Sequence, residues 1–219
     1  MNKLKALSIA ALCVTMAGCG SVNGALAERR ESVEIYHIWD VKTSVAPDVI
    51  IKATADGIAS NTNSINQNRP LMKLGPLPET PGRFEIVDMG ASLQGTGMGS
   101  LMVLAGGGQM SLKTAKCDGA IWSSQATRTV SGSDQLKLTT CLYRYKAGYQ
   151  VNQYALFTKV SGGLSQIGRE AAQALVGTPE QWLNKTIIDT VRSVEKGVGA
   201  TPKYIEGQPA LGQLPAIGS

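Results

Sequence analysis

The residues able to do chemistry are few: four cysteines, one histidine and six tyrosines in 219 residues. A Ser-His-Asp or Cys-His device working near neutrality has only His37 to use as its base. Asp40 follows three residues later, which along a strand places it on the opposite face. His37 shares its face with Val33, Ile35, Trp39 and Val41, so it reads as a hydrogen-bonded structural histidine. Asp56, Asp88 and Glu85 have no readable acid–base partner. One histidine and no Cys-x-x-Cys leave no zinc site, and no cofactor is called for. Tyr143, Tyr145, Tyr149 and Tyr154 cluster on two adjacent strands. Cross-strand aromatic pairing accounts for them, and a binding face lined with hydroxyls is the alternative.

The N-terminus carries the strongest motif. Lys3 and Lys5 precede an apolar stretch from Leu4 to Val14, too short for a transmembrane helix of about 20 residues. Thr15-Met16-Ala17-Gly18 then leads into Cys19. Ala17-Gly18-Cys19 resembles the lipobox of bacterial lipoprotein precursors, with Met16 where Leu is usual. That resemblance implies cleavage before Cys19, a diacylglycerol on its thiol and an acylated (palmitate-type) amine. Gly20, rather than Asp, after the cysteine implies transfer to the outer membrane, facing the periplasm. A competing reading is a secretory signal cut after Ala27, because Ala25-Leu26-Ala27 fits the A-x-A pattern. Under the lipoprotein reading residues 1–18 are the signal peptide and 19–32 a lipidated tether.

With Cys13 removed and Cys19 lipidated, Cys117 and Cys141 remain in an oxidising compartment, which favours a disulfide. A regular meander turning at Asp118-Gly119 would hold the two sulfurs roughly 16 Å apart. A disulfide needs Cα atoms within about 7 Å. The bond is therefore expected, and a tight hairpin at Asp118-Gly119 is not.

Cleavage lowers the net charge from +5 to +3, which gives no argument for nucleic acid. The elements that position these residues read as one domain over 33–197. Val33–Val41 alternates as a strand. Pro47-Asp48 opens a helix to about Ser60, with Ile51, Ala55, Ile58 and Ala59 as its stripe and Ile50 beside it. Residues 61–82, rich in Asn and then Pro, read as a loop. Segments at 84–87, 101–105, 110–117, 120–130, 135–145 and 149–160 have strand texture, divided by turn residues. The uncharged stretch Met89–Leu112 reads as a buried hairpin or as glycine backbone apposed to a ligand. Its Gly95-Thr96-Gly97-Met98-Gly99-Ser100 lacks the Lys-Ser/Thr and the helix of a phosphate loop. Leu164 to Val176 is periodic, ending at Gly177. Thr178-Pro179-Glu180-Gln181 combines an N-cap, a first-turn Pro and a capping-box Gln, and Leu183, Ile187, Val191 and Val194 continue to Gly197. Residues 198–219 read as a disordered Pro/Gly tail holding two Pro-Ala-aliphatic-Gly units, a candidate docking peptide.

The expected fold is α+β: an antiparallel meander packed against an N-terminal helix and a C-terminal helical hairpin. The expected function is non-catalytic: a membrane-anchored binding or assembly module of the cell envelope. It would meet a protein partner, with the 198–219 tail as the candidate contact, and no nucleic acid. A periplasmic domain binding lipid or another small molecule is the second reading, and an enzyme the third.

Overall fold

The computed structural model describes residues 29–71, 75–88, 113–129, 135–161 and 177–211. The chain divides into two units, one of 1–31 with 158–177 and one of 32–157 with 178–219. Of the first, only two strand ends and Gly177 are described. The second holds both described helices and the body of each sheet. The fold is α+β, as the alternation of the strands and the periodicity of the helices predict.

The strands are β1 (Arg29–Lys42), β2 (Ser64–Asn68), β3 (Glu85–Asp88), β4 (Lys113–Lys116), β5 (Trp122–Thr129), β6 (Gln135–Tyr145), β7 (Gly148–Ser161) and β8 (Lys203–Gln208). The helices are α1 (Pro47–Ala59) and α2 (Pro179–Val198). A six-stranded antiparallel sheet runs β2-β5-β6-β7-β1-β8, and β3 pairs with β4 in a separate ribbon. The meander of β5, β6 and β7 matches the expected segments closely.

Both faces of the sheet are covered. On one, Ile35, Trp39 and Val41 of β1 join Leu136, Leu138 and Leu142 of β6 and Val151 and Ala155 of β7 against Ile50, Ile58, Leu183 and Ile187 of the helices. On the other, Ile38, Cys141, Tyr143 and Tyr154 meet Phe84, Ala115 and Ala120 of the ribbon and its flanks. Alternation along β1 thus separates two apolar sets, not an apolar set and a wet one.

Helix α2 starts as its residues dictate. Thr178 Oγ1 accepts from the Gln181 backbone N–H at 3.2 Å, and the Gln181 side chain accepts from the Thr178 N–H at 2.9 Å. The helix runs past Gly197 and ends at Gly199, whose φ of 66° is open to glycine without strain. Gly197 instead packs on Ala53. The stripe of α1 holds Ile50, Ile51 and Ile58 as expected, with Ala55 half-buried, but it extends to Ala53, Thr54 and Gly57 and leaves Ala59 exposed. Gly57 lets the Thr190 backbone of α2 approach where a Cβ would stand 2.6 Å from its Cα.

Three expectations are corrected. Residues 64–68 within the expected loop form the edge strand β2, paired with β5 from Ser64↔Thr127 to Asn68↔Ser123. Residues 29–32, assigned to the tether, already belong to β1. In the tail expected to be disordered, residues 203–208 form the opposite edge, β8, whose Tyr204 packs its ring 5.0 Å from that of Trp39. An edge strand tolerates the flanking Pro202 and Pro209 because only one side of it must bond. The first helix of the expected hairpin, the segment 89–112 and the second Pro-Ala-aliphatic-Gly unit lie outside the described residues.

Candidate functional site

The cysteines meet as expected: Cys117 and Cys141 form a disulfide with Cα atoms 5.4 Å apart. Cys141 lies opposite Ser123 of β5 in the sheet. Cys117 reaches it because β4 leaves the sheet and pairs with β3. The Asp118-Gly119 turn still closes, with the Ala120 N–H donating to the Cys117 carbonyl at 3.1 Å and Gly119 at φ 76°. It turns the chain from the ribbon into β5 without laying one on the other, so the tight hairpin is absent and the bond is made.

The four tyrosines do not form one cluster. Register places Tyr143, Tyr145 and Tyr154 on the ribbon side and Tyr149 on the helix side. All four are buried. Tyr149 donates to the Val45 carbonyl at 2.7 Å, and Tyr145 donates to Asp40 Oδ1 at 2.5 Å. Burial raises the Tyr143 phenol to about 12 and lifts Tyr154 well above its ordinary value, with the Asp118 and Glu34 carboxylates adding to the respective effects. Tyr143 and Tyr154 pack as core rings around the disulfide, and Phe84 lies 5.8 Å from Tyr154.

The Tyr145 hydroxyl also receives a hydrogen bond from Lys42, whose ammonium stands 3.2 Å from Asp40. Those bonds hold Lys42 above its usual range, Tyr145's first, while burial does the same to the Tyr145 phenol. Near neutrality the lysine therefore stays charged and the phenol stays neutral. The trio joins the ends of β1 and β6 with charge-assisted bonds and presents no group poised to take a proton. Residue order does not disclose it, because Asp40 and Tyr145 are 105 residues apart.

His37 is buried, as expected from its apolar neighbours, but the expected hydrogen bond is missing. Neither ring nitrogen has a hydrogen-bond partner among the described residues. Burial lowers its pKa to about 4, so the ring is neutral at pH 7. Ser124 Oγ, Thr140 Oγ1 and both amide atoms of Gln153 are likewise buried without partners among the described residues. Each such group costs about 1–3 kcal/mol if left unmet. Six together (four here, two on His37) rival the roughly 5–15 kcal/mol net stability of a typical domain. A signal for them exists in the sequence: each interrupts an otherwise apolar strand face, Thr140 between Leu138 and Leu142, Gln153 between Val151 and Ala155.

Among the described residues no group of three or more His, Cys, Asp or Glu side chains could hold a metal ion, and no helix is long and apolar enough to cross a membrane. Cys19 lies outside the described residues. Compared with protein-family models, curated proteins and solved structures, the chain matches none of them.

Proposed function

We propose that this protein is a bacterial lipoprotein whose Cys19 carries the lipid, holding a non-catalytic binding or assembly module on the periplasmic side of the outer membrane. The observation that carries this reading is Ala17-Gly18-Cys19 directly after a short apolar run with Lys3 and Lys5 ahead of it. The Cys117–Cys141 bond supports it, since disulfides persist in oxidising compartments. Two or more acyl chains hold a protein stably on a bilayer where one does so only marginally.

The binding role rests on the arrangement of polar groups. Tyr143 and Tyr154 pack around the disulfide, and Lys42, Tyr145 and Asp40 tie β1 to β6, with the lysine charged and the phenol neutral near pH 7. A protein partner of the envelope would then engage the C-terminal region beyond β8, where Leu211 is exposed at the head of the tail. Binding of a small molecule is the second reading, and the unpartnered polar side chains in the core favour it.

Cys19→Ser tests the anchor. Metabolic labelling with palmitate should mark the wild-type protein and leave the variant unlabelled, as precursor or as product cut after Ala27. Equal labelling of the variant would remove the lipoprotein reading.

A further inference from the structure

Among the described residues, most of the unpartnered polar groups of the helix-covered face fall in one row, with Trp39 Nε1 lying outside it. Ser124 of β5 lies opposite Thr140 of β6, and Thr140 opposite Gln153 of β7. Gly148, at the start of β7, abuts Val41 and Lys42 of antiparallel β1. We infer that a regular ladder from that contact, five residues forward on β7 and five back on β1, sets Gln153 beside His37. His37 in turn lies opposite Gly207 of β8, where a side chain would collide with its Nδ1. One level of the sheet is thus polar across four adjacent strands, spanning about 14 Å at a strand spacing of about 4.8 Å. The levels on either side are apolar: Ala126, Leu138 and Ala155 on one, Trp122, Leu142 and Val151 on the other.

The chemistry of the row defines what it can take. Ser and Thr hydroxyls and the Gln amide both donate and accept, and a neutral imidazole offers one donor and one acceptor. An anion satisfies only donors and a metal cation only acceptors. A lipid tail satisfies neither. No charged side chain lies on the row to offset a charged occupant. Both neighbouring levels are closed by apolar side chains, so the occupant must be slender and confined to one level.

We propose that Ser124, Thr140, Gln153 and His37 form an internal binding site for small uncharged guests that both donate and accept hydrogen bonds. The guest is a file of water molecules or one small neutral organic molecule of the amide or polyol kind. This inference stands apart from the lipid anchor and holds whether or not Cys19 is acylated.

The test combines guest detection with isosteric substitution in the full chain. Water–protein NOE spectroscopy should give cross-peaks from long-lived water to the Thr140 and Gln153 side-chain protons. If an organic molecule occupies the row, native mass spectrometry should instead show a stoichiometric adduct lost on denaturation. Ser124→Ala and Thr140→Val keep shape and remove hydrogen bonding, so each should lower the melting temperature and weaken the guest signal. A rise in melting temperature in both variants, with neither signal in the wild type, would show the row to be dry and overturn the proposal. A fall without any guest signal would show that the four side chains bond one another directly, which overturns it equally. Gln153→Met adds a larger change, and the two isosteric variants decide the matter if it fails to fold.

Discussion

The two faces of the sheet are closed by different means. The helix-covered face meets two long amphipathic helices, and burial of Ile50, Ile58, Leu183 and Ile187 against the strands holds it. The opposite face is roofed by two four-residue strands and their flanks, which offer Phe84, Ala115 and Ala120 and leave Ile86 substantially exposed. So small a cover buries little apolar area, and it is cross-linked instead. The disulfide ties its end to β6, Lys113 pairs with Glu34 of β1 at 2.5 Å, and Arg83 pairs with Glu206 of β8. Extended apolar contact needs no covalent help, whereas a small cover gains from limits on the unfolded chain.

The largest expected effect is on the helix side. Ile187→Asp places an unpaired carboxylate in the core and should cost about 4 kcal/mol or more, leaving no cooperative melt. Ile86→Asp on the ribbon should change the melting temperature little, because that side chain already meets solvent. Equal damage from both would erase the distinction between the faces.

Removing the disulfide by Cys117→Ala with Cys141→Ala should destabilise by about 3 kcal/mol, given 24 residues of separation. Hydrogen exchange should locate the loss: amides of β3 and β4 should exchange faster while those of β6 and β7 keep their protection. Uniform acceleration throughout the sheet would show that the ribbon is not a separately held cover.

Acid should act through the helix side. His37 takes its proton near pH 6.5 when unfolded and only near pH 4 when folded. Between these values the unfolded chain binds the extra proton, so stability is full above pH 6.5 and falls as the pH drops toward 4. The total is on the order of 3 kcal/mol. His37→Phe should flatten that part of a stability–pH curve obtained from urea melts; an unchanged curve would place the titrating group elsewhere.

The smallest effect is expected from Lys113→Ala on the ribbon side. Its ion pair is partly exposed, so the loss of thermal stability should be slight and should disappear at high salt. A large, salt-insensitive loss would make the ion pair, not the disulfide, the principal tie.

Local interactions made much of this molecule legible from residue order. The capping box at Thr178 and Gln181, the left-handed glycine position at Gly177 (φ 81°), and the alternation of β1, β6 and β7 each depend on neighbours within a few positions. The pairing of Cys117 with Cys141 was legible too, because compartment and cysteine arithmetic left no other partner under the lipoprotein reading. What the chain order could not disclose were relations between distant segments. Tyr149 parts from Tyr154 by parity along β7, but only the register of β7 on β6 sets it apart from Tyr143 and Tyr145, and which layer covers each face depends on what packs there. Residues 203–208 carry weak strand texture and become β8 because β1 presents an unpaired edge, with Trp39 open to the Tyr204 ring. The polar row is the clearest instance. Ser124, Thr140, Gln153 and His37 each interrupt an apolar face in their own strand, and sequence alone determined that much. Only the register between strands brought the four interruptions to one level, because hydrogen-bonded pairing aligns residues that stand far apart along the chain.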